Sequence, residues 1–295
     1  MYINNNSMSS NVANTLTSHY GNLATSTERL STGLRINSAA DDAAGLAIRE
    51  LMRSDITALQ QGIRNANDAI SLIQTADGAL GVIDEKLIRM KELAEQAATG
   101  TYDSTQRLMI ESEYQQMASE ITRIANATDF NGIHLLNGNL SSDTHIGSGL
   151  TATGKMKIHF GSANDSAEDY YYIQIGSSTA SSLGVGNEAD VSNAKAFTVS
   201  TQEAAQRALV GLTDAIVSKD KIRAHLGAMQ NRLENTITNL TTQSENLQAA
   251  ESRISDVDVA TEMTNFVRNQ ILTQSAVAML SQANSMPQMA MRLIG

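Results

Sequence analysis

The sequence predicts a mainly α fold: a long antiparallel coiled-coil-like helical bundle with a small β-hairpin region in the middle of the chain. Composition, periodicity and a change of texture carry that reading. Of 295 residues, 41% are apolar but only 4% aromatic, with no Cys, no Trp and a single Pro, Pro287. The apolar share falls to Ala, Leu, Ile, Val and Met, as in long helices packed through small aliphatic side chains. Over much of the chain, apolar or small residues recur in steps of three and four, which puts them on one helical face. Between Gly138 and Ser200 that spacing is lost, and Ser, Thr, Gly, Asn and Asp dominate.

Taken in order, Val12, Leu16, Tyr20, Leu23, Thr27 and Leu30 mark a thin helical stripe near the N-terminus. The longest seam follows: Leu59, Ile63, Ala66, Ile70, Ile73, Ala76, Leu80, Ile83, Leu87, Met90, Ala94 and Ala97. It predicts one helix running from near Asp42 to near Gly100 without a proline. Asp41 and Asp42 stand directly before it, where negative charge complements the helix dipole, so capping accounts for them better than catalysis does. Asp103 or Ser104 then caps a second helix through Leu108, Ile110, Tyr114, Met117, Ile121 and Ile124, which stops at the turn Asp129, Phe130, Asn131, Gly132.

Alternating runs at residues 155–160 and 170–175 read as a β-hairpin, and the plainest account of their surroundings is a solvated insertion between two helical halves. A third long helix, from about Gln202 to Ile254, carries Leu209, Leu212, Ile216, Ile222, Leu226, Met229, Leu233, Ile237, Leu240 and Leu247. Val259, Met263, Phe266, Gln270, Val277 and Leu280 form the last stripe. The two end stripes bury too little to offset their ordering entropy, so the termini are expected to fold only against partners. Met279, Met286, Met289 and Met291 would fill gaps there, between subunits as readily as within one.

Several function classes drop out. The 31 acidic residues outnumber 21 basic ones, giving a net charge of −10, and no basic run offers a grip on a phosphate backbone, so no nucleic acid is expected as partner. No apolar run reaches the roughly 18 residues of a membrane span. The N-terminus has no basic residue before Arg29 and no apolar core, so it is not a cleavable signal, and a protein leaving the cell this way needs another export machine. His19, His134, His145, His159 and His225 never form HExxH or another close ligand pair, and Gly147, Gly149 and Gly154 lack the ending of a phosphate loop. Neither an enzyme, a metal nor a cofactor is expected.

Residues 28–45, ERLSTGLRINSAADDAAG, closely resemble the N-terminal signature of bacterial flagellins. The likeness continues through GIRNANDAISLIQTADGAL at 62–80, IRMKELAEQAATGTY at 88–102 and DFNGIHLLNG at 129–138. It resumes in LGAMQNRLENTITNL at 226–240, ESRISDVDVATEM at 251–263 and the ending at 286–295. The resemblance implies a D0 domain from residues 1–42 (terminal helix and spoke) and 256–295, and a D1 domain from 43–138 and 201–255. Residues 139–200 would form a central hairpin and loop segment without large outer domains.

By the same resemblance, the chain would be exported unfolded by the flagellar type III system, with a chaperone on its C-terminal end. It would then polymerise with itself at the tip of an extracellular filament for swimming motility, meeting cap and hook-filament junction proteins. Val12, Leu16, Leu23, Leu30, Met263, Phe266, Ile271, Val277 and Leu280 would serve D0 assembly. Arg89, Leu93, Gln96 and Glu113 match the protofilament patch that the vertebrate flagellin-sensing Toll-like receptor recognises. Ser141, Ser142, Thr144, Ser148, Thr151, Ser177, Ser178, Thr179, Ser181 and Ser182 are candidate hydroxyls for O-glycosylation. The rival readings are a minor hook-filament junction protein, which would be scarce in sheared filaments, and a non-polymerising exported helical binding module.

Overall fold

A computed structural model describes residues 6–146, 154–165, 168–186 and 198–294. The chain divides into one unit of residues 57–243 and another of residues 1–56 with 244–295. Helices α2 (Ala43–Ala98) and α5 (Gln202–Ser255) contribute to both.

The 57–243 unit contains most of α2 and α5 together with α3 (Ser104–Ala127). Asp103 caps α3 in a capping box: its carboxylate accepts the Ser104 N–H at 2.7 Å, while the Gln106 side chain accepts the Asp103 N–H at 3.1 Å. Arg107 donates to the Ala97 carbonyl and Arg89 to Glu113, a pairing order that makes α3 antiparallel to α2. Lys219 meets Asp84 and Arg223 meets Asp77, which makes α5 antiparallel to α2 as well. The predicted seam is the core: Ala66, Ala76, Leu80, Ile83, Leu87 and Met90 are all 0% exposed, facing Tyr114, Ile121, Leu212 and Leu233.

Past α3, strands β1 (Asp129–Phe130) and β2 (Ile133–His134) pair through a two-residue turn. Asn131 at φ 53° and Gly132 at φ 79° both take the left-handed backbone that such a turn demands. Strands β3 (Met156–His159) and β4 (Tyr170–Ile173) form the expected hairpin, with His159 opposite Tyr170 and Met156 opposite Ile173. The reading of this region as a solvated insertion is corrected. Phe160, Ile173, Ile175, Val185 and Val199 are all buried, and α4 (Ala180–Leu183) packs against α3 with the Ala180 N–H on the Thr122 hydroxyl at 3.3 Å. Gly62 shows how closely the hairpin docks. A side chain there would strike the Phe160 carbonyl, and the neighbouring Asn65 amide donates to the His159 carbonyl at 2.8 Å.

The other unit is built on α1 (Ser7–Thr32) and α6 (Val259–Ile294). Gly33, at φ 74°, ends α1 in a left-handed cap. The chain then bridges to the end of α5: the Arg35 N–H donates to the Ser255 carbonyl at 2.6 Å, and the Val257 N–H to the Gly33 carbonyl at 3.0 Å. Ile36 is buried beside Gly45, and Arg49 pairs with Glu251 at 3.2 Å. The acidic pair splits its work, which corrects half of the capping expectation. Asp42 accepts the Gly45 N–H and caps α2, whereas Asp41 accepts the N–H groups of Asn37 and Ser38 and closes the preceding turn.

Hydrogen bonds from Ser38 hold the Asp41 carboxyl below its ordinary 3.8, and those from Thr261 do the same for Asp258, which caps α6. Because both folded values are depressed, the stabilisation is present above about pH 4 and is lost as pH falls through the folded values. Acidification below pH ~3.8 is therefore expected to speed amide exchange at residues 34–42 and 256–262 before the core of the 57–243 unit responds, measured by hydrogen-exchange mass spectrometry. Simultaneous onset in both regions would contradict this origin.

Candidate assembly surface

Helices α1 and α6 pack antiparallel: the Asn6 amide donates to the Ala283 carbonyl at 2.9 Å and the Ser9 hydroxyl to Asn284 at 2.7 Å. On α1, the half-buried or buried positions are Ser9, Val12, Ala13, Leu16, His19, Leu23, Thr25, Ser26, Arg29 and Leu30. Four of the predicted residues, Val12, Leu16, Leu23 and Leu30, lie on this inner face. Tyr20 and Thr27 do not; His19 and Ser26 take their places, and Tyr20 is 53% exposed.

On α6 the predicted stripe is displaced. The inner seam reads Glu262, Phe266, Asn269, Thr273, Ala276, Leu280 and Ala283, in steps of four and three. Of the expected assembly residues, Phe266 and Leu280 fall on it, whereas Met263, Ile271 and Val277 are exposed at 45%, 57% and 46%. Val259, Val267, Leu272, Met279 and Met289 are exposed too. The helix thus turns polar residues inward and leaves a broad set of aliphatic ones without an intrachain partner. Exposed apolar surface on this scale marks an interaction site.

In the 57–243 unit, the guanidinium of Arg89 donates to Glu113 at 2.9 and 3.1 Å and to Glu92 at 2.9 Å, which raises its already high pKa, the Glu113 bond contributing most. Gln96 is exposed and donates to the Tyr102 hydroxyl. Leu93 is a correction. At 2% exposure it belongs to the bundle core, so its side chain is not presented to a partner. Among the candidate hydroxyls, Ser141, Ser142 and Thr144 are exposed, and Ser177 and Thr179 are half-buried. Ser178 is 0% exposed and so is removed from the candidates, while Ser148 and Thr151 lie outside the described residues.

The sequence reading passed over one buried group. Lys219 is 1% exposed, held by Asp84 at 2.5 Å and Asp220 at 2.7 Å. Its place in the α5 seam, between Leu212 and Leu226, was the available signal. Among the described residues there is no cluster of His, Cys, Asp or Glu able to hold a metal ion, and no helix is long and apolar enough to cross a membrane.

The family described as the bacterial flagellin N-terminal helical region matches residues 3–141, and that described as the flagellin C-terminal helical region matches residues 209–294. The chain belongs to the bacterial flagellins. It is 44% identical over 267 residues to the flagellar filament 33 kDa core protein of Treponema phagedenis, covering 90% of each chain. It is 40% identical to the flagellin of Bacillus subtilis (strain 168), covering 100% of both. Bacillus cereus flagellin is similar in structure at a TM-score of 0.46 and 29% identity, over 64% of this chain and 94% of that one. Like its relatives, this flagellin is a structural subunit of the flagellar filament and not an enzyme. The outward aliphatic faces of α6 then have an occupant class, since a filament subunit is surrounded by copies of itself.

Proposed function

We propose that this flagellin is exported unfolded by the flagellar type III system, escorted by a chaperone on its C-terminal end, and folds at the filament tip beneath the cap, outside the cell. On this reading residues 1–42 and 256–295 form the inner D0 layer around a central channel, while residues 43–138 and 201–255 stack as D1 outside it. Junction proteins meet the same ends at the hook. The absence of cysteine suits threading through a narrow channel. The observation that carries the reading is the exposed aliphatic set on α6, because covering it with neighbouring copies removes apolar surface from water.

The double variant Met263→Asp with Ile271→Asp tests this. It keeps the helical circular dichroism of the monomer and raises the critical concentration for polymerisation by roughly a hundredfold or more, as expected from losing about 2 kcal/mol of burial per side chain. Unchanged seeded growth, followed by light scattering and electron microscopy, would remove these residues from the interface.

The exposed Arg89 and Glu113 pair, bridging α2 and α3, also favours recognition of the monomer by the vertebrate flagellin-sensing Toll-like receptor. Wild-type monomer is expected to activate reporter cells and Arg89→Ala with Glu113→Ala to lose most of that activity. Equal responses would sink the assignment.

A further inference from the structure

Between α1 and α6 lies an open polar cavity of about 330 Å³ whose lining includes Asn22, Ser26, Arg29, Glu262, Arg268 and Asn269. An ordinary contact between two helices would fill such a space with aliphatic side chains. Here one buried donor of the lining has no partner among the described residues. The Arg29 Nε is buried without a hydrogen-bond acceptor. Glu262 is 7% exposed, and among the described residues no hydrogen bond or ion pair engages its carboxylate. Arg268 is exposed at the rim, likewise without an intrachain carboxylate, and Arg29 reaches only Asp41, at 3.8 Å. A buried donor left this way costs about 1–3 kcal/mol, which an acceptor from outside the chain would recover.

We propose that this cavity is a socket for an acidic side chain of a second copy of the chain. Two guanidinium groups and one carboxylate line the space, with Asp41 countering Arg29 only from 3.8 Å, and the vacant donor of Arg29 points to an acceptor. A carboxylate accepts from guanidinium in the strongest common geometry, and two arginines can share its two oxygens. Glu262 offsets part of the charge and keeps a second acid from entering. The occupant is a neighbouring subunit because the family builds homopolymers, whose repeating contact brings one residue of each copy to the same place on the next. A chain with net charge −10 has carboxylates to supply; Glu28, Asp256 and Asp258 are exposed on this same unit. The proposal rests on the assembly reading and adds an electrostatic register to its aliphatic contacts.

The test uses full-length protein with Arg268→Lys, which keeps the charge and installs an amine. Filaments are grown from an equal mixture of isotopically heavy and light subunits, treated with a carbodiimide and digested for mass spectrometry. The expected product is an amide between the lysine at position 268 of one isotope and an Asp or Glu of the other. Filaments whose substituted lysine links only within its own chain, or to nothing, overturn the proposal. Arg268→Glu is expected to raise the critical concentration by about tenfold or more while the monomer's helical signal stays unchanged; polymerisation equal to wild type overturns it too. Failure of the unsubstituted chain to polymerise would sink the assembly reading itself, so the two failures are told apart.

Discussion

A chain lacking residues 1–34 and 256–295 is expected to stay monomeric under every condition in which the full-length flagellin forms regular hollow filaments, as seen by electron microscopy after seeding or salting out. The 57–243 unit holds the large contiguous core, from Ala66 to Leu233, and deletion of the ends removes none of it. The truncated chain should therefore keep a cooperative thermal transition. What it loses is α1 and α6, whose mutual seam buries Ser26, Glu262, Thr273 and Ala283 in place of large aliphatic residues. Such a seam returns little against the entropy of ordering both helices, so their packing energy has to come from other copies. Hollow filaments grown from the truncated chain would place assembly elsewhere. Loss of the cooperative transition would show instead that the ends are needed for the fold.

The second large effect concerns Lys219. Asp84→Ala with Asp220→Ala leaves an ammonium, 1% exposed, with both of its carboxylates gone, and is expected to cost about 3–5 kcal/mol in chemical denaturation. Lys219→Met is the informative control. It fills a similar volume with apolar atoms, and the two aspartates left behind are 28% and 58% exposed, so water can solvate them. Its stability should lie within about 1 kcal/mol of wild type. If the two variants are equally unstable, Lys219 matters through packing and not through its charge.

The two termini show how far a sequence can be read. Of the α1 stripe, Val12, Leu16, Leu23 and Leu30 do lie on the inner face, because on that helix the aliphatic residues face the partner helix, while Tyr20 and Thr27 do not. On α6 the same rule chose Val259, Met263 and Val277, which are exposed, over Glu262 and Thr273, which are buried. Periodicity records that apolar residues share a face; it does not record whether that face meets the same chain or another copy. Leu93 and Ser178 failed for a related reason. Family likeness and residue type proposed them as surface groups, but the packing of α2 against its neighbours buries one, and the fold of the segment after β4 buries the other.

By itself, then, the sequence determined whatever depends on residues close in the chain: the long helices, a cap at Asp103 or Ser104, the turn at Asn131 and Gly132, and the hairpin strands. Its signature motifs also determined the family, because several separate matches in the right order leave little room for coincidence. Only the tertiary structure decided which face of α6 lies inward, that Lys219 is a buried ion-pair centre, and that Phe160, Ile173, Ile175, Val185 and Val199 contribute buried apolar groups. Caps and turns are fixed by neighbours a few residues apart, whereas burial is settled by which distant surfaces meet, and in a filament subunit some of those surfaces belong to the next copy.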